Sequence, residues 1–140
     1  MSANKLHKFI FEGLPVRGAL VRLTDTWREA LRRRAVVGEF PAPVRVLMGE
    51  MVAAGLLMQS SIKFEGALVL QLHGDGPVKL VVAEVKSTLS FRTTAKVVGP
   101  LDDAANWQQM VNPRGTGRCA ITLDPRDRAP GAQPYQGVVS

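Results

Sequence analysis

Apolar residues along this chain switch between a spacing of two and a spacing of three to four, and each switch marks a new element. Near the start, Lys8–Glu12 (KFIFE) is a short strand candidate. Val16–Leu23 (VRGALVRL) alternates, with Val16, Gly18, Leu20 and Arg22 on one face and Arg17, Ala19, Val21 and Leu23 on the other. Pro15 just before it suits a strand start. The period then becomes helical in TDTWREALRRRAVVG, where Trp27, Ala30, Leu31 and Ala35 share a face. Thr26 and Glu29 have the spacing of a capping box, in which each side chain satisfies a free amide at the helix start. Gly38 can end that helix in a left-handed conformation, and Pro41 and Pro43 stop its continuation.

A second helix is expected from about Val44 to Ser61. Its apolar residues cover nearly the whole circumference, which predicts an enclosed helix. Gly49, Ala53, Ala54 and Gly55 admit close neighbours. Met48, Met51 and Met58 are adaptable core fillers, with a promiscuous binding face as the alternative. From Gly66 the period returns to two. Leu68, Leu70 and Leu72 oppose Val69, Gln71 and His73, and VKLVVAEV and LSFRTTAKV follow. In the last of these, Leu89, Phe91, Thr93, Ala95 and Val97 oppose the polar Ser90, Arg92, Thr94 and Lys96, so one face is wet. Asp102–Asn112 is expected as a short helix with acidic residues at its start, as the helix dipole prefers. Then come a strand in GRCAITLD, a Pro/Gly loop, and a strand opening at Tyr135. The sequence reaches Ser140 on an apolar strand with no polar tail, which carries the expectation of an incomplete domain.

Gly74-Asp75-Gly76-Pro77 lies between two of these strands and is the most motif-like segment. A phosphate-binding P-loop needs a longer glycine spacing, a lysine and a following helix, none of which is here. A dinucleotide fingerprint fails for want of a third glycine and a helix. A calcium loop needs more oxygen ligands than the lone Asp75. The residues predict a hairpin turn in which glycine supplies positive φ and Asp75 bonds nearby amides.

Other chemistry is equally sparse. His7 and His73 stand apart from each other and from any Cys, Asp or Glu at ligand spacing, and there is no Gly-x-Ser-x-Gly elbow. Asp102 and Asp103 read as helix-start residues rather than a catalytic pair. Val111–Arg118 (VNPRGTGR) could pose backbone amides to an anion, with a plain loop favoured. Cys119, the only cysteine, sits in an alternating run and reads as a buried inert thiol. It cannot form an internal disulfide or a cysteine-rich zinc site, and it suits a reducing cytosol. No residue is therefore assigned a catalytic, cofactor-binding or metal-ligating role, and the sequence points to no enzyme.

Length and charge narrow the classes further. A chain of 140 residues fits one domain. Such a domain buries about 68% of the surface its unfolded chain exposes, enough for a core without disulfides or metals. The net charge is +6 and the pI about 10.1. Arginine is concentrated at Arg28, Arg32, Arg33 and Arg34 and again at Arg114, Arg118, Arg126 and Arg128. Solvated faces account for both groups better than nucleic acid does, because a single-strand binder interleaves aromatics with the charge. A basic nucleic-acid or ribosome-associated module is the alternative class, and an enzyme built on the Gly74–Gly76 turn is a third. The start of the chain has only a short apolar run, so no signal peptide is expected. The longest uncharged stretch, Met51–Ile62, is too short to span a bilayer.

Four segments in order, Val16–Gly18 (VRG), Ile62–Gly66 (IKFEG), Gln71–Pro77 (QLHGDGP) and Tyr135–Val139 (YQGVV), resemble the N-terminal core of the bacterial heat-shock protein thirty-three family. The resemblance implies an α+β fold in which layered β-sheets pack around a largely buried helix, with residues 1–140 forming a single core domain that lacks its C-terminal end. It also implies an ATP-independent, cytoplasmic holdase chaperone of the stress response, binding unfolded client proteins and able to form a homodimer. Full-length relatives carry a further domain where four cysteines bind zinc, and oxidation there activates the chaperone. Cys119 matches none of those cysteines. The implied zinc, redox switch and client-binding patch are thus assigned to no residue of this chain.

Overall fold

The computed structural model of the chain describes residues 4–140. Among these residues two antiparallel sheets and three helices make an α+β fold. Strands β1 (Lys5–Ile10) and β2 (Arg17–Arg22) form a two-stranded sheet, followed by helices α1 (Asp25–Ala35) and α2 (Ala42–Ser61). The second sheet is built from β3 (Gly66–His73), β4 (Val78–Lys86), β5 (Phe91–Val97), β6 (Arg118–Pro125) and β7 (Tyr135–Val139), with the short helix α3 (Trp107–Val111) between β5 and β6. Its strand order is β5-β4-β3-β6-β7, which places β7 at one edge and β5 at the other.

The core lies between α2 and this five-stranded sheet. Val44, Leu47, Met48, Met51, Val52 and Leu56 of α2 are buried against Leu68 and Leu70 of β3 and Val81, Ala83 and Val85 of β4. Alternation decides which strand residues reach the core. On β4 the buried set shifts from even to odd numbers, Val78 and then Val81, because the register slips between Val78 and Leu80. The small residues of α2 serve close approach, as expected. A Cβ on Gly55 would lie 2.9 Å from Val85 Cγ2, and one on Gly49 would lie 3.2 Å from the Trp27 ring. Met48 and Met51 are core residues, whereas Met58 is exposed.

Several local expectations are corrected. The capping box at Thr26 and Glu29 does not form. Thr24 is the N-cap, and its amide donates to Asn4 Oδ1 at 2.6 Å. Glu29 instead accepts from Arg32 and Arg33, three and four residues on, because those guanidinium groups outcompete a distant amide for its charge. The second helix begins at Ala42, and Pro43 lies inside its first turn, where a missing N–H costs nothing. Burial of α2 runs along one broad stripe, and Val46 and Glu50 on the other side are exposed. The first strand starts at Lys5 and ends at Ile10, so Phe11 and Glu12 belong to the turn.

The expected helix over Asp102–Asn112 is confined to Trp107–Val111. Asp102 folds a turn instead, with its side chain accepting from the Ala104 amide at 2.8 Å. The helix is started by Asn106 and Gln109, which form a complete capping box. That signal, N-x-x-Q, was present in the sequence and outweighed by the acidic pair. Among the described residues no helix is long and apolar enough to cross a membrane.

Candidate functional site: an apolar hairpin and its groove

The Gly74–Pro77 segment is the hairpin turn between β3 and β4, closed by the Gly74 amide donating to the Lys79 carbonyl at 2.9 Å. Neither glycine has a positive φ. They are required for space: a Cβ on Gly74 would lie 1.9 Å from the Val78 carbonyl oxygen, and one on Gly76 would lie 2.6 Å from that of Met110. The turn is pressed against the end of α3, and the Asp75 amide donates to the Val111 carbonyl at 3.1 Å.

Asp75 and the Val111–Arg118 loop, weighed separately from the sequence, meet in the structure. The Asp75 carboxylate accepts from the Arg114 amide at 3.3 Å, and from the Thr116 amide and hydroxyl at 2.8 Å each. The loop does present amides to an anion, and the anion is Asp75. Desolvation opposes ionisation there, but the Thr116 and Arg114 bonds outweigh it and hold the carboxyl below its usual range. With both oxygens hydrogen-bonded, Asp75 fastens two loops together.

The remaining chemical candidates are also committed elsewhere. His73 bonds to Gln71, its neighbour on the same face, at 3.0 Å. Cys119 is partly buried on β6, opposite Leu72 of β3 and Val139 of β7, and burial pushes its thiol pKa up. A protonated thiol is a poor nucleophile and a poor ligand. Among the described residues no group of three or more His, Cys, Asp or Glu could hold a metal ion. On α1, Arg28 pairs with Asp25, Arg32 and Arg33 share Glu29, and Arg34 stacks over Phe40 at 4.1 Å.

What stands out is the β1–β2 hairpin, which the sequence did not single out. Its strands pair from Lys5↔Arg22 to Ile10↔Arg17. The Phe11 amide donates to the Val16 carbonyl at 2.9 Å, and Gly13 turns the chain at φ 77°. Leu6 and Val21, near the open end, are half-buried beside Leu56 of α2. Toward the turn the apolar residues stay in solvent: Ile10 is 80% exposed, Leu14 61% and Phe11 50%, with Phe9, Val16 and Leu20 also exposed. Such a concentration of exposed apolar side chains makes the hairpin a candidate interaction surface.

Phe9 explains the glycine of the VRG segment. It pairs with Gly18 across the strands, and its ring lies over that position, so that a Cβ there would be 2.5 Å from the ring. Phe9 and Phe11 meet edge to face at 5.9 Å. The signal that could have exposed this surface was the clustering of Phe9, Ile10, Phe11 and Leu14 around a turn, where a chain normally places polar residues.

Between this hairpin and the C-terminal end of α2 lies an open groove of about 580 Å³. Ile10 and Ala19 contribute apolar wall, and Lys8, Arg17 and Lys63 contribute positive charge. Ser60 and Ser61 line it where α2 ends, their hydroxyls donating to the Leu57 and Met58 carbonyls at 2.8 and 2.9 Å. Among the described residues no acidic side chain lines it.

Comparison with known proteins gives one consistent result. The 33 kDa chaperonin of Methylobacillus flagellatus is 44% identical over 98% of this chain and 43% of its own length. That of Chromobacterium violaceum is 42% identical over 98% of this chain and 44% of its own length. The chain thus spans less than half the length of these curated relatives. A crystal structure of the 33 kDa chaperonin (heat shock protein 33 homolog) from Thermotoga maritima shares the fold, with a TM-score of 0.72 over 96% of this chain and 44% of that one, at 20% identity. The family profile described as Hsp33 protein matches residues 4–140, nearly the whole sequence, and the chain belongs to the Hsp33 family.

Proposed function

We propose that this chain is an ATP-independent holding module of a chaperone, which binds unfolded polypeptide on the β1–β2 hairpin and the groove beside it. The observation that carries this reading is the exposed run Phe9, Ile10, Phe11, Leu14 and Val16 on an ordered hairpin. Unfolded chains expose the same kind of surface, and burying the two together gains roughly 25 cal/mol per Å². Membership of a family whose curated relatives are named chaperonins supports the reading. The proposal extends to a non-enzymatic role, a cytoplasmic setting, a homodimer, and activation by oxidation through a zinc-binding domain in longer relatives. The last three rest on the resemblance described above. The engaged arginines of α1 weigh against the nucleic-acid alternative, and the engaged Asp75 weighs against an enzyme.

Light scattering from a heat-unfolded globular enzyme tests the proposal. The folded chain is expected to suppress scattering, and an Ile10→Asp, Leu14→Asp variant is expected to lose that suppression while keeping its circular dichroism spectrum. Scattering left unchanged by the wild-type chain, under reducing and oxidising conditions alike, overturns the reading.

A further inference from the structure

We infer that the hairpin groove selects, among unfolded segments, those whose apolar residues are flanked by Asp or Glu. This inference rests on the holding function proposed above and names the class of segment held.

Three cations, Lys8 of β1, Arg17 of β2 and Lys63 just past α2, converge on the groove from separate elements. All three are exposed, and none forms an ion pair with a described residue, in contrast to Arg32, Arg33, Arg92 and Arg126, which each hold a carboxylate. The same walls carry Ile10 and Ala19, so a segment lying there meets apolar surface and positive charge together. A helix end of the α2 type exposes carbonyls and disfavours anions. Here Ser60 and Ser61 donate to two of the last-turn carbonyls, and Lys63 follows just past the Ile62 C-cap, both of which offset that tendency. A lysine-flanked segment meets three like charges, with no carboxylate among the described lining residues to receive it. Charge arranged in this way discriminates between partners more than it adds affinity.

Fluorescence anisotropy with three labelled peptides tests this on the full chain. All three share one apolar centre, Phe-Ile-Val-Leu, and they are flanked by Asp, Ser or Lys pairs. The Asp-flanked peptide is expected to bind about tenfold more tightly than the Lys-flanked one at low salt, the sum of a few exposed ion pairs. That preference should fade as salt screens it, while binding of the Ser-flanked peptide holds. In a Lys8→Gln, Arg17→Gln, Lys63→Gln variant the ratio between Asp- and Lys-flanked peptides should fall to about one. A wild-type ratio near one overturns the inference while leaving the holding reading intact, as does a preference that survives in the triple variant. Failure of all three peptides to bind removes the holding surface and the inference with it. Sedimentation showing that a second copy already covers the groove, with no displacement by peptide, also overturns it.

Discussion

The Asp75 carboxylate accepts both the amide and the hydroxyl of Thr116, each at 2.8 Å, across 41 residues of sequence. A third bond, from the Arg114 amide, completes the clamp. A turn that looks like a ligand loop in the sequence is thus an internal fastener, joining the β3–β4 hairpin to the loop that leads into β6.

Asp75→Ala should lower the thermal midpoint and increase amide exchange at Arg114 and Thr116, because it leaves those donors without their anion. Asp75→Asn should do so less, since the amide oxygen still accepts. Aggregation suppression at a temperature where both variants remain folded should not change. Heteronuclear NMR exchange and thermal melts check these outcomes.

Acid should weaken the fold through carboxylates held ionised. Hydrogen bonds from Arg32 and then Arg33 lower the Glu29 pKa from 4.5 to about 2. Asp75 is lowered as well, against the opposing effect of desolvation. A depressed folded-state pKa gives stability that is present above the unfolded value and lost as pH falls through the folded one. Urea midpoints should therefore be flat from neutral pH down to about 4.5 and drop from there toward about 2 as far as these groups are concerned. In the Asp75→Asn, Glu29→Gln double variant that acid-side drop should be smaller.

Gly55→Ala should destabilise the chain by roughly 1–3 kcal/mol in urea denaturation, as overpacking does, because the new methyl meets Val85 at 2.9 Å. Gly74→Ala should be worse, since the clash there is with a backbone oxygen that cannot rotate away. Gly137→Ala, with nothing within 4 Å, serves as the control and should be nearly neutral.

Cys119 should react slowly with iodoacetamide at pH 7 in the native chain and much faster in guanidinium. Burial raises its pKa in the fold, and unfolding removes that effect. Mass spectrometry of the alkylated peptide reads the difference. Equal rates in both states would show that the thiol is not shielded.

The element types were legible in the sequence wherever burial alternates locally. Leu68 and Leu70 against Gln71 and His73, or Phe91 and Ala95 against Arg92 and Lys96, have periods that a single strand reveals. The helix of Ala42–Ser61 was legible from its long, nearly uninterrupted apolar run after Pro41 and Pro43, and its small residues correctly signalled close packing. Local rules competed at the helix starts, and there the reading failed. Glu29 had a choice between an amide and two arginines, and Asp102 between a helix start and a turn of its own.

Periodicity and turn chemistry, both properties of neighbouring residues, thus settle the order of strands and helices and the absence of a recognisable catalytic motif. Partners separated by tens of residues settle the rest. That Thr116 answers Asp75, that Val85 closes on Gly55, and that Lys8, Arg17 and Lys63 share one groove depends on how the sheets and α2 come together. Lys8–Glu12 reads from the sequence only as a short strand candidate, and it is the fold that leaves Phe9, Ile10 and Phe11 in solvent. A side chain's spacing along the chain sets which face it takes, but only packing decides whether that face meets protein or water.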